Sequence, residues 1–400
     1  MNVRSNEPFW LVQNGLLHNY PSLHQDLHCD VLIIGSGITG SLMAHACMKE
    51  GFQTVLIDKR EIANGSTSAT TSMLQYELDI PLHKLIEQIG EEAAVASYKG
   101  CRDAIPQLQQ VVDEVKSCCG FEWKKSLYFC AQSKDLTDLR KEYETRKHYG
   151  FEVEWLEEDQ LKSDYNIVSL GAILSADGAS IDAFKLAHDI LYYNAQRGLQ
   201  IFDKTESIKI TYQKDKIFLK TQTGHAITTG KIIYCTGYET QHFLPEKIVK
   251  LKSTYACVSE VQHTLSEALK GTLFWNTSKP YLYLRATDEG RILIGGEDED
   301  FKNASKRDLL LDRKESKIKK KFHEIMPHTF YHADFMWAGT FGETKDSLPY
   351  IGEHIKFPNS YFVLGFGGNG IAFSVIGMKL IIDLIKKEPN PLSHYFRFGR

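Results

Sequence analysis

The sequence predicts an α/β chain of two interleaved domains, and three stretches carry that expectation. Asp30 to Asp58 reads as strand, glycine turn, helix and strand. Strands and helices keep alternating through the middle of the chain. Tyr255 to Gly296 instead has a β-rich texture with a hairpin at its end. A length of 400 residues, 42% hydrophobic and 24% charged, suits two domains with substantial cores and argues against disorder.

Taken in order, Asp30-Val-Leu-Ile-Ile is a short branched apolar run ending at Gly35, as expected of a buried parallel strand. Ile38, Leu42, Ala46 and Cys47 then recur at helical spacing until Lys49-Glu50-Gly51 closes the helix. Thr54 to Asp58 is a second buried strand. The polar segment Asn64 to Ser72 carries too many hydroxyls for a core and too few charges for an ordinary linker. Helical patterns from Leu82 to Lys116 precede an alternating strand at Leu127 to Ala131, and Phe184 to Arg197 is an amphipathic helix closed by Gly198. Ile208 to Thr221 and Lys231 to Cys235 read as strands. Tyr281 to Arg285 and Arg291 to Ile294 face each other across an Asp288-Glu-Gly290 turn. Tyr361 to Ile385 returns to strand, glycine-rich loop and helix.

The bulk numbers exclude several classes of function. A formal net charge of -4 gives no general attraction to nucleic acid or to an anionic membrane. Met1 to Asp30 has no export pattern, and the apolar stretch from Tyr361 is interrupted by glycines and Asn369, so stable membrane insertion is not expected. The eight cysteines have no C-x-x-C spacing and read as reduced thiols in a cytoplasm. Phe322-His-Glu-Ile-Met-Pro-His328 misses the H-E-x-x-H spacing by one residue and contains a helix-breaking proline, so no metal is expected. No G-x-S-x-G elbow occurs outside the glycine turn. The basic stretch Lys314 to Lys321 reads as a solvated helix face.

Gly35-Ser-Gly37-Ile-Thr-Gly40 is a G-x-G-x-x-G placed between a strand and a helix, with Asp58 ending the next strand. That context gives a dinucleotide-binding, Rossmann-like unit. Gly35 makes the turn, Gly37 lets the backbone approach a pyrophosphate, Gly40 lets helix and strand pack closely, and Asp58 accepts from ribose hydroxyls. The helix N-terminus offers free N–H groups to the phosphates. Lys59 and Arg60 keep a 2'-phosphate open, and the fingerprint alone does not separate FAD from NAD(P).

The chain resembles the D-amino-acid oxidase-like family of FAD-dependent oxidoreductases. The likeness rests on Gly35 to Gly40, Asp58, Gly65 to Met73, Lys231 to Gly237, Lys345 to Gly352 and Gly365-Phe-Gly-Gly-Asn-Gly-Ile371, in that order and spacing. The resemblance implies FAD, bound by Gly35, Gly37, Ile38, Gly40, Asp58, Lys59, Ser66 and Thr67 at the adenosine and phosphates. It implies Thr71, Ser72 and Met73 at the ring edge, Gly367, Gly368, Asn369, Gly370 and Ile371 at the pyrimidine end and ribityl chain, and Ile208, Thr236 and Gly237 among the cofactor-binding residues. Backbone N–H groups of the segment Gly367 to Ile371 would stabilise charge on the reduced ring. Some members attach the flavin through a Cys in the segment matching Ala338 to Asp346. None stands there, so the FAD is expected to be non-covalent.

The interleaved textures of the sequence divide it into an FAD domain from 1–95, 166–250 and 338–400, and a β-rich substrate domain from 96–165 and 251–337. The resemblance implies hydride transfer to flavin N5 from the carbon beside an amine or amino-acid nitrogen, hydrolysis of the imine, and O2 or another electron acceptor. No dedicated acid–base residue is assigned. Substrate-pocket candidates are Gln75, Tyr255, Tyr281, Tyr283, Arg285 and Trp337. Phe341 replaces the arginine with which amino-acid oxidases of the family hold a carboxylate, and Glu343 adds negative charge, which favours an amine. Arg285 is the alternative carboxylate partner. Competing readings are an NAD(P)-dependent dehydrogenase and a flavin-binding subunit without catalysis.

Overall fold

The structure is a computed structural model that describes residues 1–5, 7–365 and 367–400. Phe366 of the glycine motif lies outside the described residues. Two sheets organise the chain. The first runs in the order Tyr350–Glu353, Ser360–Leu364, Ala226–Tyr234, Leu27–Ile34, Thr54–Ile57 and Gln200–Phe202. Its inner pairings are parallel, as expected when each strand is fed by a crossover. Val31 and Ile33 enter one core while Leu32 enters another, the two-residue alternation of a strand covered on both faces. Helices Ile38–Lys49, Glu91–Val115, Ala183–Ala195 and Gly370–Lys386 cover one face through residues such as Leu42, Leu108, Leu186 and Phe373.

The glycine turn behaves sterically as its sequence requires. Gly35 has φ +110°, and a Cβ there would stand 2.4 Å from the Cys235 carbonyl oxygen. A Cβ on Gly40 would stand 1.8 Å from the Gly35 oxygen, so the helix can pack this close only without one.

The second sheet contains Ala333–Glu343, Lys250–Ser259, Ile292–Asp300, Tyr283–Ala286, Thr272–Asn276, Glu122–Phe129, Gly171–Ser180 and Met73–Gln75, with Val153–Glu157 beside Gly171–Ser180. The expected hairpin is present, with Leu284 opposite Ile294 and Arg285 opposite Leu293. Three expectations need correction. Ile208 to Thr221 is a hairpin, Ser207–Tyr212 with Ile217–Thr221, because Lys214-Asp215 turns the chain and Gln213 N donates to Lys216 O at 2.9 Å. The helical stretch from Leu82 breaks at Gly90, whose φ of +90° separates Leu82–Ile89 from Glu91–Val115. Met73–Gln75 and Gly171–Ser180, from segments assigned to the nucleotide domain, pair in the second sheet instead. Strand partners are fixed by distant chain, which local pattern does not report. Among the described residues no helix is long and apolar enough to cross a membrane.

Beneath the second sheet lies a buried ionic network. Arg146, fully buried, donates from Nε to Glu142 Oε1 at 2.7 Å and from Nη1 to Glu77 Oε1 at 3.2 Å. Glu142 also accepts from the backbone N of Leu82 and His83 and sits 2.7 Å from His83 Nδ1. Burial would raise this carboxyl, but Arg146 and His83 overturn that and hold it at about 2. Arg146→Met is expected to cost about 3–5 kcal/mol, because it leaves buried carboxylates without a counter-charge. Urea unfolding measures it, and a loss below about 1 kcal/mol would show that the network is not structural.

Candidate active site

A cavity of about 690 Å³ opens where the carboxyl end of Leu27–Ile34 meets the second sheet, within the size range of cofactor and small-molecule sites. One end is lined by Gly35, Gly37, Ile38, Asp58, Lys59, Ser66, Thr67, Ile208, Thr236 and Gly237. Ile38 N, in the first turn of its helix, donates to Thr67 Oγ1 at 3.0 Å. A Cβ on Gly37 would lie 2.8 Å from that same hydroxyl oxygen, so only glycine keeps the approach to the helix N-terminus open. These features fit the pyrophosphate and adenosine half of a dinucleotide. Asp58 Oδ2 accepts from Ser36 N at 2.8 Å and Ser36 Oγ at 2.7 Å, and Oδ1 accepts from Arg60 N at 2.9 Å. The carboxylate thus braces the glycine turn as well as facing the cavity.

Lys59 Nζ and the Arg60 guanidinium both reach Glu239, at 2.9 Å. Burial would raise Glu239, but Arg60 and Lys59 help to hold it at about 2. The two cations are therefore engaged by a carboxylate.

The other end is lined by Thr71, Met73, Gln75, Tyr281, Tyr283, Trp337, Phe341 and the loop Gly367, Gly368, Asn369, Gly370 and Ile371. Asn369 Nδ2 donates to the carbonyls of Gln75 and Glu77 at 2.9 Å each. Gly367 N donates to Gly342 O at 2.8 Å and Gly368 N to Asp79 Oδ2 at 3.1 Å, so those two donors serve the loop itself. What remains for a ligand is the first turn of the helix Gly370–Lys386, where N–H groups lack helical partners. Gln75 Nε2 donates to Ser126 Oγ at 2.9 Å, and the fully buried Trp337 donates from Nε1 to Ala69 O at 2.9 Å.

Five expected residues stand elsewhere. Gly40 packs against Gly35 behind the cavity. Ser72 is buried, with its Oγ accepting from Ala183 N. Tyr255 faces the opposite side of its sheet, donating to Glu299 Oε1 at 3.2 Å beneath Lys314. Glu343 is exposed at a strand end, 3.5 Å from Lys252. Arg285 is buried outside the cavity, donating to Thr71 O and Ile181 O at 2.9 Å each, and burial lowers its pKa to about 10. Tyr283 and Arg285, two positions apart, share a face of their strand, but only Tyr283 lies over the cavity, while Arg285, farther along, is taken by the Thr71 and Ile181 carbonyls the fold brings to it.

Sequence reasoning missed Asp79, Thr254, Trp275 and Asp298, all of which line the cavity. Asp298 sits in the acidic run Glu297 to Asp300, which reads as solvated charge. Burial pushes its carboxyl up to about 7, with Asp79 and Glu343 adding to the rise and Thr254 and Lys314 opposing it. Burial likewise raises Asp79, against the hydrogen bonds from Gly368 and Tyr281.

Residues 30–384 match the model of a family described as FAD dependent oxidoreductase, DAO. A putative Rieske 2Fe-2S iron-sulfur protein, YhfW, of Bacillus subtilis is 24% identical over 98% of this chain and 75% of its own length. The gamma-glutamylputrescine oxidoreductase of Escherichia coli is 21% identical over 92% of this chain and 86% of its own. The crystal structure of glycine oxidase from Geobacillus kaustophilus superposes with a TM-score of 0.77 at 18% identity, covering 94% of this chain and 99% of that one.

Arg285→Ala is expected to destabilise the fold by about 1–3 kcal/mol through two orphaned carbonyls. Chemical denaturation reads the loss. Unchanged stability with selective loss of reactivity toward carboxylate substrates would put Arg285 in the substrate site after all.

Proposed function

The chain belongs to the family of FAD-dependent oxidoreductases that its residues 30–384 match, and from that membership we propose that it oxidises a C–N bond of an amine or amino acid. FAD supplies the two-electron acceptor when bound. The observation that carries the reading is one continuous cavity, running from the Gly35–Asp58 end to an aromatic end at Tyr281 and Tyr283 and bounded by the loop Gly367–Ile371. Two relatives support the bond class, since their names give glycine and gamma-glutamylputrescine as what they act on.

In this reading Ile38, Asp58, Ser66 and Thr67 hold the adenosine and pyrophosphate, while Met73 and Gly367 to Ile371 border the flavin ring. The N-terminus of the helix Gly370–Lys386 places positive potential there, which suits charge developing on a reduced ring. Gln75, Trp275, Tyr281, Tyr283 and Trp337 wall the substrate end and exclude water. Phe341 stands in the lining where a carboxylate-holding arginine would be, which favours an amine over an amino acid. Engagement of Lys59 and Arg60 by Glu239 disfavours a 2'-phosphate, and with it NADP. Electrons pass on to O2 or another acceptor, and the eight cysteines, unbridged among the described residues, suit a reducing cytoplasm.

FAD is held non-covalently in this proposal. Cys235 lines the cavity, but burial pushes its thiol well above the ordinary range and keeps it unreactive. Acid precipitation should release the flavin, and yellow colour retained in the pellet would contradict this. Asp58→Ala should weaken FAD binding by about 1–3 kcal/mol in a fluorescence titration, the scale of lost charged hydrogen bonds. Anaerobic mixing with amines and amino acids should bleach the flavin; a holoenzyme that none of them reduces would refute C–N oxidation.

A further inference from the structure

The basic side chains lining the cavity are confined to one end. Lys59, Arg60, Lys209 and His242 all come from the elements around the adenosine end, where Asp58, Glu206 and Glu239 also stand. Among the described residues contributed by the second sheet, by 69–79 and by 365–371, no lysine, arginine or histidine lines the cavity, whereas Glu77, Asp79 and Asp298 do. A substrate carboxylate at this end would meet acids and no lining cation.

Glu77 is paired with Arg146 at 3.2 Å, and the two aspartates differ in their partners. Asp79 is committed to structure, Oδ1 accepting from Tyr281 Oη at 3.0 Å and Oδ2 from Gly368 N at 3.1 Å. Asp298 is committed only in part: Thr254 offers its carboxylate a hydrogen bond, but Oδ1 is buried and has no hydrogen-bond partner among the described residues. A buried carboxylate oxygen without a donor carries a desolvation cost that an N–H cation would repay. Aromatic rings stand at the same end, with Trp275 and Tyr281 centroids 6.3 Å apart and Tyr281 and Tyr283 5.7 Å apart. Acid and aromatic faces together are the surroundings in which ammonium groups bind.

We propose that Asp298, backed by Asp79 and the rings of Trp275, Tyr281 and Tyr283, is a subsite for a second, non-reacting ammonium group, so that the chain takes diamines or polyamines in preference to monoamines and amino acids. The inference rests on the C–N reading above. The subsite serves the distal nitrogen rather than the reacting one, because oxidation needs a neutral amine and a neighbouring carboxylate favours the protonated form. The distal nitrogen stays charged and donates to Asp298 Oδ1.

The experiment uses the FAD-loaded enzyme under anaerobic conditions with three probes of matched length: butane-1,4-diamine, butylamine and 4-aminobutanoate. Dissociation constants come from calorimetry, and flavin bleaching is followed separately. At pH 8 the diamine should bind about tenfold more tightly than butylamine, and 4-aminobutanoate more weakly than either, the scale of one close charge pair gained or opposed. Asp298→Asn should remove the diamine's advantage. A second measurement needs no variant. Asp298 feels the charges of Asp79, Glu343 and Lys314, the Thr254 hydroxyl and the two tyrosines, and their balance with burial places its titration at about 7. The charged form prevails above that pH, so the preference should be full at pH 8 and fade by pH 6, while both amines keep their own charge throughout. Equal affinity for diamine and butylamine, tighter binding of 4-aminobutanoate, or a preference indifferent to pH overturns the subsite even where amines bleach the flavin. Binding in the expected order without bleaching by any amine or amino acid upholds the subsite and overturns the C–N reading.

Discussion

Both hydrogens of the Asn369 side-chain amide are spent on the carbonyls of Gln75 and Glu77, and the geometry of the cavity depends on that clasp. It ties a loop near the C-terminal end of the chain to a segment nearly three hundred residues earlier. Asp79 continues the same seam, accepting from Gly368 N of the loop and from Tyr281 Oη, just ahead of the strand Tyr283–Ala286. Where the seam is buried, at Asn369 and the Glu77 carbonyl, no water can replace the partner, so donor and acceptor must meet each other. The positions of loop, strand and tyrosine are therefore determined together.

Behind the clasp the chain places charge where apolar packing would have been simpler. Arg146, Glu142, Glu77 and His83 form a buried network beneath the segment that receives Asn369. Such networks gain little net energy over apolar substitutes but penalise any arrangement that separates the partners. Here the arrangement selected is the one that holds residues 75–79 against the cavity. At the opposite end Glu239 does a similar thing, gathering Lys59 and Arg60 beside the glycine turn braced by Asp58.

Basic side chains thus line one end of the cavity and not the other because the two ends are built from different layers. The parallel sheet contributes a helix N-terminus and nearby basic side chains, a setting for phosphates. The antiparallel sheet contributes aromatic rings and acids from strands whose other faces are packed. A single elongated ligand that is anionic in its middle and meets a cationic partner at its far end suits that division.

The sequence by itself determined the nucleotide unit. Gly35, Gly37, Gly40 and Asp58 act within about 30 residues, and turn, helix start and strand end are all local matters of sterics and periodicity. The hairpin at Tyr283 and the loop at Gly367 were legible for the same reason. The substrate end was not. Tyr255 and Arg285 carry the right chemistry but point elsewhere, while Asp79 and Asp298 look like ordinary polar residues until strands from remote segments surround them. Which face of a strand meets a cavity depends on its partners' register and bulges, such as the shift between Ser253 and Tyr255 that precedes Asp298's neighbourhood. Burial of that carboxylate is a property of the assembled layers, and only the tertiary structure could decide it.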